Sequence, residues 1–231
     1  MRIEAIISEI EPLGSPRTKK CYMSEGAVEP LFGMTIKALK PIAKKLMTRE
    51  DCQQVAYDLF DTGNYDLMYL AGMIVNPDEM SEAKYHDWIS KSYFYMISDF
   101  IVSICLSEAS MAEAVSDQWI QSGVDVRMSA GYLTYCWRLA SLKDTFFSKE
   151  KLESILSVIE KRIHTQPNRT RYAMYYFVYN VGVSFLPLHK EALEIAKSIG
   201  TITVFDAKGQ EQSYHAQAAI EKEVDRGRLG F

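Results

Sequence analysis

From about Thr35 to Ile199, apolar residues recur at helical spacing in block after block, and strand-like alternation is almost absent. A chain with this period and no sheet can bury its apolar stripes only by packing helix against helix, so the body is expected to be all-α. Breaks at Gly63-Asn64, Asn76-Pro77, Gly123, Pro167-Asn168 and Pro187 divide it into helices of about three to five turns joined by short connectors.

That punctuation fits helix pairs stacked side by side. Stacked pairs without a strict sequence period are typical of a HEAT-like α-solenoid (α-α superhelix), in which each pair buries a face on its neighbours and one edge stays concave; a compact helical bundle is the alternative. We expect residues 1–231 to form a single such domain. Near the end the pattern changes, because Thr201-Ile-Thr-Val-Phe205 is rich in β-branched residues and is followed by Asp206-Ala-Lys-Gly209. This predicts a small C-terminal β-hairpin near 200–213, one more helix over Tyr214–Glu223, and a loose, partly basic tail over Arg226–Phe231.

Composition limits what such a fold can do. With 48% apolar residues in 231, the chain needs no crosslink or metal to hold a core. Glu4 and Glu9 interrupt the apolar N-terminus, and no later stretch is long enough to span a membrane. Cys21, Cys52, Cys105 and Cys136 are scattered and read as reduced, mostly buried thiols of a cytoplasmic protein, taken as a monomer. A net charge of -4 argues against a surface that coats nucleic acid indiscriminately, so any DNA site has to be a local patch.

Phosphate-binding, dinucleotide-binding, zinc-protease and serine-esterase motifs are missing. His86, His164, His189 and His215 lie far apart and fit structural roles, so neither metal nor cofactor is expected. Chemistry concentrates on two helices. In Asn168–Gly182, Ala173, Phe177 and Val181 form an apolar stripe, while Arg169, Tyr172, Tyr176 and Tyr179 line up separately; inter-helix packing explains such rings as well as a surface for sugar, base or phosphate does. In Ser92–Cys105, Tyr95 and Asp99 are four residues apart, which in a regular helix sets a lone carboxylate beside a phenol among apolar neighbours. A hydrogen bond from a backbone amide or Arg127 is the plain reason for such a carboxylate, and stabilisation of a cation is the functional one. Arg17, Lys19 and Lys20 precede a helix bearing Lys37, Lys40 and Lys44, a ridge that is either simply solvated or a set of phosphate contacts. The ridge and both helices could share one concave surface.

The order of segments resembles the AlkD-like DNA alkylation repair family. Leu31-Phe-Gly-Met-Thr-Ile-Lys-Ala-Leu-Lys-Pro-Ile-Ala-Lys-Lys-Leu46, Gly63–Ile74, Tyr95-Met-Ile-Ser-Asp99, Asn168–Met174 and Ile199–Val204 look like family segments in register, covering roughly Leu31 to Glu223. The resemblance implies a HEAT-like DNA-binding surface. In members with glycosylase activity it implies removal of cationic alkylpurines from duplex DNA by an aspartate, two tryptophans and an arginine. By that resemblance the aspartate falls on Asp99, the tryptophans on Tyr95 and Tyr176, and the arginine on Met128, next to Arg127. A carboxylate and aromatic faces stabilise the oxocarbenium character left as a base departs, and tyrosine does this less well than tryptophan.

These departures resemble the sister branch called AlkF and AlkG, which keeps the fold, carries a hairpin and favours branched DNA without clear base excision. The expected function is thus DNA binding at distorted or branched sites, with enzymatic activity open. An alkylpurine glycosylase is the alternative, and a protein-binding solenoid scaffold the second alternative.

Overall fold

The computed structural model describes residues 3–141 and 147–230. The chain folds as two compact units, 1–111 and 112–231. The first unit holds α1 (Ile3–Ile10), α2 (Pro16–Ser24), α3 (Ile36–Leu46), α4 (Cys52–Asp61), α5 (Tyr65–Ile74), α6 (Glu82–Ser90), the single-turn α7 (Tyr95–Ile97), a π turn over Ser98–Val102, and α8 (Ser103–Glu108). The second holds α9 (Ala112–Gln121), α10 (Asp125–Ser141), α11 (Lys149–Arg162), α12 (Asn168–Ser184), α13 (His189–Ile199), β1 (Thr201–Phe205), β2 (Glu211–His215) and α14 (Ala216–Asp225). The all-α expectation and the C-terminal hairpin are both met.

Helix starts follow from side chains that accept the orphan N–H groups of a first turn. Ser15, Thr35, Asn64, Ser81 and Ser148 each do so, for α2, α3, α5, α6 and α11. Each such cap contributes about 1 kcal/mol. In the first unit the core centres on Trp88, whose ring lies flat on Phe60 at 3.9 Å between centroids and 4° between planes. Gly72 on α5 lets the π turn come close: a Cβ there would sit 2.6 Å from Ile101 Cγ2. In the second unit the buried stripe of α12 packs on α10 and α13, and Gly182 admits α14, because a Cβ would meet Ile220 Cδ1 at 2.6 Å.

The strands pair antiparallel from Thr201 opposite His215 to Phe205 opposite Glu211, with Ile202 and Val204 buried and β1 lying on α12. Asp206 closes the loop by accepting the N–H groups of Lys208 and Gln210, both at 2.9 Å. Those backbone donors hold its carboxyl below the usual carboxylate range. The second strand continues to His215, so the last helix begins at Ala216 and not at Tyr214. The tail also departs from expectation. Arg228 N–H donates to the Glu223 carbonyl at 2.9 Å and Gly230 N–H to the Val183 carbonyl at 2.8 Å, folding 226–230 back onto the unit; Phe231 lies outside the described residues.

Cys105 and Cys136 are buried, Cys52 is half-buried and Cys21 is exposed, so the thiols are less uniformly interior than expected. Burial pushes the Cys105 thiol up to about 12. His164 meets the Ile199 carbonyl at 2.9 Å and His189 the Gly182 carbonyl at 2.6 Å, structural roles at helix ends. No described helix is long and apolar enough to cross a membrane.

Candidate nucleic-acid interface

Asp99 sits in the π turn and is buried. The regular helix expected over Ser92–Cys105 is not what forms: it starts at Tyr95 and widens at Ser98. Within the turn, Ser103 N–H and Oγ–H both donate to the Ser98 carbonyl, the hydroxyl at 2.8 Å, an i to i+5 pairing in place of i to i+4. Ser98 Oγ in turn lies 2.8 Å from Asp99 Oδ1 and 3.1 Å from the Tyr95 carbonyl. Tyr95 is half-buried, its ring 4.8 Å from that of Phe94. A carboxylate held in a sealed turn by a serine hydroxyl can exert an electrostatic effect; its burial restricts direct contact.

On α12 the expected division of faces is observed. Ala173, Phe177 and Val181 are fully buried, while Arg169, Tyr172, Tyr176 and Tyr179 are half-buried on another face. The rings form a column: Tyr172 and Tyr176 are 6.1 Å apart and within 7° of parallel, and Tyr176 and Tyr179 are 5.7 Å apart at 23°. The Arg169 guanidinium carbon lies 5.0 Å from the Tyr172 centroid, a cation–π contact at the column's N-terminal end. Tyr214 of β2 braces it from the side, edge-on to Tyr172 at 5.2 Å and tilted against Tyr175 at 5.0 Å. Burial raises all four α12 phenols, Tyr175 to about 12, so the column is neutral at pH 7.

The basic ridge lies entirely in the first unit. Arg17, Lys20, Lys37, Lys40 and Lys44 are exposed on α2 and α3. Lys19 is different, since its ammonium is 2.7 Å from Glu29 and half-covered, which leaves it less charge to offer a phosphate. Arg127 is half-buried in the first turn of α10, in the second unit; Met128 beside it is nearly buried and lines a cleft of about 660 Å³ with Tyr132, Ile155 and Met174.

Two carboxylates that position these elements escaped the sequence reading. Buried Asp66, in the first turn of α5, accepts three consecutive backbone N–H groups, from Phe32 at 2.5 Å, Gly33 at 2.9 Å and Met34 at 2.7 Å. Asp125 accepts the Thr170 N–H at 2.8 Å and its hydroxyl at 2.7 Å, as well as the Arg169 N–H at 3.3 Å, which fixes where α12 begins. The only signal was an acidic residue after Asn64 or Val124 at a helix start; the partners are 32–45 residues away. Tyr214, Arg226 and Arg228 were likewise not singled out.

Residues 6–206 match the family described as DNA alkylation repair enzyme, and the chain belongs to that family. Its relatives include uncharacterized protein Lin0241 of Listeria innocua, 27% identical over 222 residues that cover 95% of this chain and 96% of that protein. Uncharacterized protein Lmo0209 of Listeria monocytogenes is 27% identical over 200 residues, 85% of this chain and 86% of the relative. A solved structure described as "a new family of proteins related to the HEAT-like repeat DNA glycosylases with affinity for branched DNA structures" aligns with a TM-score of 0.95 and 45% identity, over all of this chain and 97% of that one. The fold class is therefore all-helical with a HEAT-like repeat neighbour and a small C-terminal hairpin.

Proposed function

We propose that this protein binds branched or otherwise distorted DNA and that it belongs with the AlkF and AlkG branch of its family. The observation that carries this reading is the likeness, over the whole chain, to a protein described as having affinity for branched DNA structures. The neutral tyrosine column capped by Arg169 and the exposed cations of α2 and α3 supply stacking surface and phosphate contacts of the needed kind. In this reading residues 1–231 act as one HEAT-like repeat domain, a cytoplasmic monomer without cofactor or metal.

Anisotropy titrations of fluorescent duplex and four-way-junction DNA at several salt concentrations test it. Tighter binding to the junction, with log K falling linearly against log salt, is the expected result. No binding at low salt would overturn it in favour of a protein-binding scaffold.

A second reading, excision of cationic alkylpurines, is favoured by one observation: Asp99 is a buried carboxylate on a π turn, a feature frequent at functional sites. Asp99 would act on developing positive charge, with Tyr95 of the same segment as an aromatic partner; Tyr176 is the second aromatic that the family resemblance implies. Release of methylated bases from duplex DNA, lost in Asp99→Asn, would establish it; failure to release any cationic lesion would remove it.

A further inference from the structure

We infer that the α12 column is a stacking platform for a short unpaired stretch of DNA, with Arg169 gripping one flanking phosphate and the folded-back arginines Arg226 and Arg228 the other. The inference rests on the branched-DNA reading and adds a substrate feature to it, unpaired nucleotides at the branch.

Three observations converge. The first is ring geometry. Tyr172, Tyr176 and Tyr179 share one orientation along the helix, at spacings of 6.1 and 5.7 Å. A stacked strand advances about 3.4 Å per nucleotide, so rungs nearly twice as far apart suit bases that have been pulled away from one another. Bases within a duplex have both faces covered by their neighbours and offer only edges; unpaired bases offer a face.

The second is the tail. Glu223 receives Arg226 at 2.8 Å and Arg228 at 3.8 Å, and two guanidiniums on one carboxylate leave a positive excess. Both side chains remain substantially solvent-exposed, at 47% and 65%, so they are available to a phosphate. The backbone bonds of Arg228 to Glu223 and of Gly230 to Val183 hold this corner against α12. It lies close enough to Tyr179 for both arginines to act electrostatically on that phenol, opposing the upward push of burial and Glu223.

The third is a division of labour among the tyrosines. Tyr175 and Tyr214 make tilted and edge-on contacts that brace the column, whereas the column rings lie on a face separate from the buried stripe of Ala173, Phe177 and Val181. Tyr179 ends the column, and its one ring contact among the described residues is with Tyr176. An incoming base thus meets Tyr179 first, beside Arg226 and Arg228, with Arg169 at the far end of the column.

The test uses the full chain and two four-way junctions that differ only in a three-nucleotide gap, with 2-aminopurine as the central unpaired base. Binding of the native protein should change the 2-aminopurine fluorescence. Tyr179→Leu should abolish that change and weaken gapped-junction binding about tenfold, with a clearly smaller loss on the fully paired junction. Tyr179→Phe, which keeps the ring, should preserve both signals. Arg228→Gln should lower the salt slope on gapped DNA by about one. Native-like fluorescence and affinity in Tyr179→Leu would overturn the inference while leaving branched-DNA binding intact, and so would equal losses on the paired and gapped junctions. Failure of the native protein to bind either junction would instead remove the reading on which the inference rests.

Discussion

Two segments hold the candidate residues Asp99 and the α12 tyrosines, and they are built in opposite ways. On α12, seventeen residues keep one helical phase, so residue spacing alone separates the buried stripe from the tyrosine column. Over Tyr95–Glu108 the phase slips at a π turn, where the Ser98 hydroxyl bonds to Asp99 and the Ser103 hydroxyl to the Ser98 carbonyl. A regular helix presents its residues outward in a row; a slipped one can seal a carboxylate among apolar side chains. The first arrangement suits recognition by surface, and the second suits a fixed charge acting from beneath.

Alkaline pH should have the largest effect, and it should reach both helices. Burial raises the four α12 phenols above their ordinary value near 10, Tyr175 to about 12. In the unfolded chain these phenols ionise near 10, so their contribution to stability is complete below that pH and is lost as pH climbs through the folded values. Tyr95–Glu108 carries the same liability, because burial raises Cys105 and also Tyr85, whose O–H donates to the Cys105 carbonyl. Amide hydrogen exchange between pH 9 and 12 should therefore show both segments losing protection over the same range, and loss in one alone would break the comparison.

The two anchoring aspartates should come next, and unequally. Asp66→Ala strands three N–H donors at residues 32–34, two of those bonds being buried, for a loss of about 3 kcal/mol in urea unfolding. Asp125→Ala removes partners from the start of α12, where water reaches more easily, and should lose about 1–2 kcal/mol. Equal losses would mean that partial exposure at the start of α12 does not soften the effect. A larger loss for Asp125→Ala would reverse the assignment of which unit depends more on its carboxylate.

The same contrast explains what could be read without a structure. Helix breaks at Gly63, Asn76, Gly123, Pro167 and Pro187 were legible because turn and cap chemistry is local. The α12 faces and the hairpin's first strand were legible because periodicity survives intact there. Asp66 was not, because its partners lie 32–34 residues upstream and are backbone groups, which carry no residue signature. The π turn at Ser98 was not legible because a single inserted residue in the helical phase is invisible to a periodicity count. The folded-back tail was missed because glycine and arginine read as a loose end until the Val183 carbonyl is known to receive Gly230.

Ser103→Ala should have the smallest effect and bears most directly on why the phase slips. The substitution deletes the 2.8 Å bond from Oγ to the Ser98 carbonyl but leaves the backbone N–H bond to the same acceptor. If the hydroxyl is what holds the turn wide, the variant should lose about 1 kcal/mol. Amide shifts over 98–103 should then move toward regular helix, with the buried Asp99 displaced. The alternative cause is packing, since Gly72 already admits Ile101 at close range and Val102 and Leu106 are fully buried beyond it. Narrowing the turn by one residue would rotate those side chains about a quarter of a circle out of the core. Unchanged amide shifts together with a loss under about 0.3 kcal/mol would therefore assign the slip to packing. Asp99 would then be buried because its neighbours demand it, and the serine would merely satisfy a carbonyl that the wide turn had already exposed.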